Sequence, residues 1–240
     1  MFKGEFFHTS AAGAASLYDY QIEQSMRFDR DSDTVAFMIY AAAVSSTTNK
    51  LDNWNFNTGG GSGVSIQSIG FNGGSNGSLQ TNGVYRDYNG WGHYVLAVDT
   101  TQSTASDRVK LYLNGTQITS FSTETYPAQN YDGGLGNNSY ELAVGMNADN
   151  SNFGHEFDGY MAEYHYTDGT AYAPTQFGES KNGVWIPKDP TGTSYGNNGH
   201  YLSFSNASSL GADSSGNGNN FTVENAGADH QVLDSPTFGS

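Results

Sequence analysis

The sequence predicts an all-β chain, a sandwich of two antiparallel sheets, and three observations lead there. Short alternating runs recur along the chain with turn-forming residues between them. No long segment repeats its apolar residues at intervals of three and four, so an amphipathic helical architecture is unsupported. The stretch WGHYVLAVDTTQSTASDRVKLYLNG, residues 91–115, sets two alternating hydrophobic runs around a small polar loop and closes on Asn114-Gly115. That dipeptide supplies the positive backbone angles of a tight hairpin turn. In the second run Val109, Leu111 and Leu113 fall on one face and Arg108, Lys110 and Tyr112 on the other, which predicts a sheet with one dry and one wet face.

Composition fits one large β domain of 240 residues. Hydrophobic residues make up only 36%, but the 14% that are aromatic supply large buried areas per residue, which disfavours disorder. Thirty-one glycines against five prolines suit many turns and long loops. Strands are predicted near 22–28, 34–44, 64–71, 79–86, 92–99, 108–113, 116–121, 140–146, 157–166, 200–205 and 219–224. The Gly/Ser/Asn-rich stretches at 57–77 and 128–139 read as hairpin loops. Residues 181–198, with Pro187 and Pro190, read as a crossing towards a final hairpin. Residues 1–20 are predicted to form an N-terminal arm, in which small residues Ala11 to Ser16 sit between Phe6-Phe7 and Tyr18-Asp19-Tyr20, and 21–240 form the folded domain.

Charge and composition exclude several function classes. Nine basic residues against 24 acidic ones give a net charge of −15, so no nucleic-acid partner is expected, because phosphate binding needs clustered Lys and Arg. Cysteine is absent, which excludes disulfides and thiolate metal sites and is compatible with assembly in a reducing cytoplasm. Glu5 and His8 interrupt what would have to be an apolar signal core. No run approaches the ~20 apolar residues of a membrane helix, so no membrane insertion is expected.

Among residue groups that could carry chemistry, HEFDGYMAEYHYTDG (155–169) concentrates acids and histidines. Paired carboxylates would suit glycoside hydrolysis. On a regular strand, however, Glu156 and Asp158 share one face and Glu163 the other, so the three do not converge. Glu163 and His165 do share a face and could exchange a proton, although a solvated polar row beside Tyr160, Tyr164 and Tyr166 is the commoner outcome. The glycine clusters lack the Lys-Ser/Thr of a phosphate loop, and the six histidines show no close metal-binding spacing except His155 and His165 around one strand. The chain is therefore read as non-enzymatic.

Two kinds of binding feature remain. The loop DSSGNGNN places Asp213, Asn217 and Asn219 around flexible glycines and is a candidate calcium site, the alternative being a turn whose side chains cap their own backbone. A looser oxygen-rich run lies at Asn147 to Asn152. Tyr85, Tyr88, Trp91, Tyr126, Tyr131 and Trp185 sit in or beside polar loops and are candidate glycan contacts, since a pyranose offers an apolar C–H face to an aromatic ring while Asn and Asp take its hydroxyls. Burial as core or loop plugs is the usual fate of such residues.

These segments together resemble the concanavalin A-like, laminin-G-type domains of tailed-phage structural proteins, marine phages in particular. The similar stretches are YQIEQSMRFDRDSD (20–33), GWGHYVLAVDTTQSTASDRVKLYLNG (90–115), FDGYMAEYHYTDGTAYAPTQFGE (157–179), GVWIPK (183–188), YGNNGHYLSFSN (195–206) and LGADSSGNGNNFTVENAGADHQVLDSPT (210–237). Between 34 and 88 the Trp-rich strand usual in that group is replaced by DTVAFMIYAAAVSSTTNKLDNWNF. The resemblance implies a jelly-roll sandwich in a virion component, a fibre or decoration protein, assembled in the host cytoplasm. It further implies homo-oligomers, contacts with other virion proteins that the arm would make, and a host-surface glycan as ligand. A carbohydrate-cleaving enzyme of the same fold and a purely architectural capsid cement protein are the alternatives.

Overall fold

The structure, a computed structural model, describes residues 19–22, 33–41, 70–72, 78–83, 91–131, 144, 159–224 and 227–231. The predicted arm up to residue 18, Tyr85, Tyr88, Glu156, Asp158 and the run 147–152 lie outside these residues.

Thirteen strands are described: β1 (Asp19–Ile22), β2 (Asp33–Ala41), β3 (Gly70–Asn72), β4 (Ser78–Thr81), β5 (Trp91–Val98), β6 (Val109–Leu113), β7 (Thr116–Ile118), β8 (Phe121–Thr125), β9 (Gly159–Thr167), β10 (Gly178–Lys181), β11 (Val184–Pro187), β12 (His200–Leu202) and β13 (Phe221–Glu224). The larger sheet runs β12-β9-β2-β5-β6-β7 and the smaller β3-β4-β8, with β1-β13 and β10-β11 as separate antiparallel pairs. The chain leaves the larger sheet after β2, makes β3 and β4 in the smaller, returns for β5 to β7, and crosses again for β8 before β9. This is the two-sheet antiparallel jelly-roll sandwich that the sequence predicts. Asp19 and Tyr20, assigned to the arm, pair in β1 with Glu224 and Val223.

The core lies between the two sheets. Leu96 and Val98 of β5, Val109 and Leu111 of β6, Met161, Tyr164 and Tyr166 of β9 and Leu202 of β12 meet Leu79 of β4, with Phe121 of β8 packed alongside. Each large apolar side chain taken from water contributes roughly 1.5–3 kcal/mol. The hairpin between β6 and β7 turns at Asn114-Gly115 as predicted, with φ of 49° and 76°.

The expectation of a wet second face is corrected by the structure. Residues Val95 to Val98 are buried without alternation, which requires cover on both sides of β5. The cover is the segment from Asp168 to Gly199. Its Phe177 packs on Val95 with Tyr172 and Tyr112 beside it, and its Trp185 and Tyr195 reach the histidines of the same face. Within it β10 and β11 form a hairpin turning at Asn182-Gly183, where a crossing was expected. Its side chains Glu179, Ser180, Lys181 and Val184 are exposed, so neither strand advertises itself by an alternating apolar face.

Candidate functional site

The four aromatic candidates among the described residues, Trp91, Tyr126, Tyr131 and Trp185, do not converge. Trp91 opens β5 and Val98 closes it, so the two ends of that strand lie roughly 23 Å apart at about 3.3 Å per residue. Trp185 lies at the Trp91 end, beside His93 and the Asn114-Gly115 turn, whereas Tyr126 and Tyr131 lie at the Val98 end.

At the Val98 end the β5–β6 loop and the segment after β8 are stitched together. Asp99, the residue after β5, accepts from the Thr101 amide at 3.0 Å, the Thr101 hydroxyl at 2.6 Å and the Gln102 side-chain amide at 2.5 Å. Partial burial acts to raise its pKa, but these bonds and the charge of Lys110 prevail and hold the carboxyl below its ordinary range. Arg108 donates to three backbone carbonyls: Gln102 at 2.8 Å, Ser103 at 3.0 Å and, across to the second segment, Pro127 at 2.8 Å. The Thr100 hydroxyl donates to the Tyr131 carbonyl at 2.9 Å, the Asn130 amide to the Thr100 carbonyl at 2.8 Å and the Gln129 side chain to the Thr101 carbonyl at 3.0 Å.

The segments joined in this way form a platform on which Tyr126 and Tyr131 are half-buried, Tyr126 packing in part against the core, and on which Gln102, Gln129 and Glu124 are exposed. The Tyr126 hydroxyl donates to Glu124 at 2.9 Å, and partial burial together with that carboxylate pushes its pKa up to about 12. Arg108 and Lys110 are the only Lys or Arg between residues 87 and 180, a sequence signal that could have marked Arg108 as a dedicated loop clamp.

Trp185 is occupied differently from the expectation of a sugar platform. Its indole N–H donates to His93 Nδ1 at 2.7 Å, the two rings stack at 5.9 Å, and it packs against the backbone of Gly115 and Gly178. A Cβ at Gly178 would stand 2.5 Å from the indole nitrogen, so the ring needs glycine there. As an acceptor at Nδ1, His93 is neutral, and burial lowers its pKa to about 3. Trp91 begins β5 opposite Tyr40 and is half-buried.

The structure brings Asp213, Asn217 and Asn219 together, with N–H and O–H groups aimed at the carboxylate. Asp213 accepts from the Tyr201 and Ser215 amides, the Ser215 hydroxyl and the Asn219 amide, at 2.8 to 2.9 Å. The Asn217 side chain donates to the Gly196 and Gly199 carbonyls, and that of Asn219 to the Asn197 and Gly199 carbonyls. Calcium needs six to eight free oxygens, and this conformation already commits the oxygens of Asp213 to donors. The donor set therefore does not fit calcium, and the loop is instead a self-capped turn pinning 196–199 to 213–219. Among the described residues no group of three or more His, Asp or Glu could hold a metal ion.

The Glu163–His165 pair expected on one face is there, but it is not solvated: the two residues are 3% and 1% exposed. Glu163 has φ of 52°, and pairing between β2 and β9 shifts register between Ala36 and Met38. This bulge breaks the regular parity assumed from sequence, so Met161 joins the core while Glu163 turns to the covered face. There Glu163 Oε2 accepts from the Tyr201 hydroxyl at 2.6 Å and lies 3.8 Å from His165 Nε2. His165 Nδ1 pairs with the Tyr195 hydroxyl at 2.9 Å, and its ring stacks on Tyr201 at 4.2 Å and Phe177 at 4.9 Å. Burial raises the Glu163 pKa to about 7, against the lowering effect of the Tyr201 bond, and burial pushes His165 well below its ordinary value.

No protein-family model and no curated protein matches the sequence. Among solved structures, a candidate carbohydrate-binding protein from Bacteroides ovatus is similar at 16% identity with a TM-score of 0.45, over 84% of this chain and 56% of that one. A heptameric SAP-like pentraxin from Limulus polyphemus is similar at 14% identity with a TM-score of 0.42, over 72% of this chain and 79% of that one. Identity and overlap at this level assign no function.

Proposed function

We propose that the chain is a non-enzymatic recognition domain of a tailed-phage particle, displayed in many copies in the virion and binding a host-surface glycan through the Tyr126–Tyr131 platform. The observation that carries this reading is the clamp of Arg108 on three carbonyls, which holds two loops as one surface under two half-buried tyrosines. A platform fixed before binding loses little entropy on taking a sugar, and aromatic rings with amide and carboxylate neighbours are the groups a pyranose needs. One such site binds weakly, and homo-oligomers or repeated copies would raise avidity through effective concentration. The N-terminal arm would make the contacts with other virion proteins. Burial of Glu163 and His165 supports the non-enzymatic reading, because with the Asp168–Gly199 segment closed neither side chain meets solvent where a substrate could reach it.

The test is an immobilised-glycan array probed with the purified protein and with Tyr126→Ala and Tyr131→Ala. Binding that both variants lose while keeping the unfolding midpoint of the parent is the expected outcome. Binding that survives both substitutions but disappears in Trp91→Ala would move the site to the other end of the sheet.

A further inference from the structure

We propose that Glu163 is a proton-operated latch: with its proton the Asp168–Gly199 cover lies closed over the sheet, and without it the cover opens. The geometry is that of a carboxyl group built into a place hostile to its charge. Glu163 occupies a left-handed backbone position at a strand bulge, a conformation strained for a non-glycine residue and one that clusters at functional positions. It is almost fully buried, and its one strong partner is the Tyr201 hydroxyl.

The groups around it supply no positive charge. His165 lies 3.8 Å away on the same strand and is engaged through its other nitrogen with Tyr195 of the cover. Tyr201 comes from β12 and Tyr195 from the cover, both held neutral by burial first and by the proximity of Glu163 second. Asp189 of the cover, itself exposed, adds negative charge that acts on Glu163 from the surface. His93 of β5 and His200 of β12 act on His165, and burial keeps both uncharged near neutral pH. β2 crosses opposite the bulge with Ala36, Phe37 and Met38. An ionised Glu163 is thus a buried carboxylate with a single donor and an acid nearby. Lifting the cover, which carries Tyr195, Phe177 and Asp189, is the motion that admits water to it.

The sign follows from linkage. A carboxyl whose pKa is raised from 4.5 to about 7 in the closed state keeps its full contribution below about 4.5 and loses it as pH rises to about 7. The opening equilibrium therefore grows about tenfold per pH unit across that window and levels off above it.

Hydrogen exchange of residues 171–195, corrected for the intrinsic pH dependence of amide exchange, tests this between pH 5 and pH 8 in the full chain. The expected result is that rise and plateau in the parent and a flat profile in Glu163→Gln, which keeps the Tyr201 bond without the charge. A flat parent profile, or the same slope in the variant, overturns the proposal. Should the variant fail to fold, infrared spectroscopy of the parent decides: a protonated-carboxyl band that persists at pH 6 and vanishes by pH 8 supports the latch, and its absence at pH 6 overturns it.

Discussion

Trp185 donates its indole N–H to Nδ1 of His93, a residue 92 positions earlier, at 2.7 Å. This bond ties the β10–β11 hairpin to β5 of the sheet that it covers, at a histidine only 1% exposed. The anchor explains why an aromatic residue in a polar, proline-flanked segment is half-buried.

Trp185→Phe keeps an aromatic ring, though a smaller one, and removes the donor, leaving a buried imidazole nitrogen unsatisfied. The expected loss is about 1–3 kcal/mol in urea unfolding. A change under about 0.5 kcal/mol would mean that His93 finds another donor, by ring rotation or water.

Gly178→Ala is expected to destabilise by about 1–3 kcal/mol, because its Cβ meets the indole and the ring cannot retreat without breaking the His93 bond. Most of that cost should vanish in a Trp185→Ala background. A double-mutant cycle on thermal unfolding measures the coupling, and independence of the two substitutions would show that Gly178 answers to something else.

Asp213→Ala removes the acceptor of four bonds and should cost about 2–3 kcal/mol, with the 196–199 and 213–219 segments losing hydrogen-exchange protection together. Chelators should leave Tm unchanged. A Tm that rises with added calcium in the parent and not in Asp213→Asn would establish an ion in this loop.

Arg108→Lys retains the charge but reaches one carbonyl where the guanidinium spans three. It is expected to cost about 1–2 kcal/mol and to weaken ligand binding at Tyr126 and Tyr131 more than it lowers stability. Parallel calorimetry and array binding separate the two effects; loss of stability with binding intact would show that the platform needs no clamp.

Sequence alternation was enough to find β5, β6 and β9, since strands that face a core on at least one side must place their apolar residues at a period of two. The Asn114-Gly115 turn was legible for a related reason, a backbone angle that few residues tolerate. Asn182-Gly183 carries the same message, yet its flanking strands lack an apolar stripe, and only the tertiary contact of Trp185 gives the hairpin a place to lie. The bulge at Glu163 left no trace at all, because glutamate does not announce a left-handed backbone and the partner strand that absorbs the shift lies over a hundred residues away. Pairing Glu163 with His165 was correct in face and wrong in surroundings, for burial there depends on a segment that follows β9 and folds back.

The pairing of β1 with β13 sets Asp19 beside Glu224, so the chain enters and leaves this pair at one end. Tension applied between an attached N-terminal arm and the segment after β13 would load the pair in the peeling direction, breaking its hydrogen bonds one after another and not all at once. Such a joint yields at low force, and the remainder of the sandwich, where the β2–β5 pairing runs through eight residues in register, would stay shut behind it. A domain fastened at both ends would therefore pay out slack at the cost of Phe221 before it risked the rest of its core.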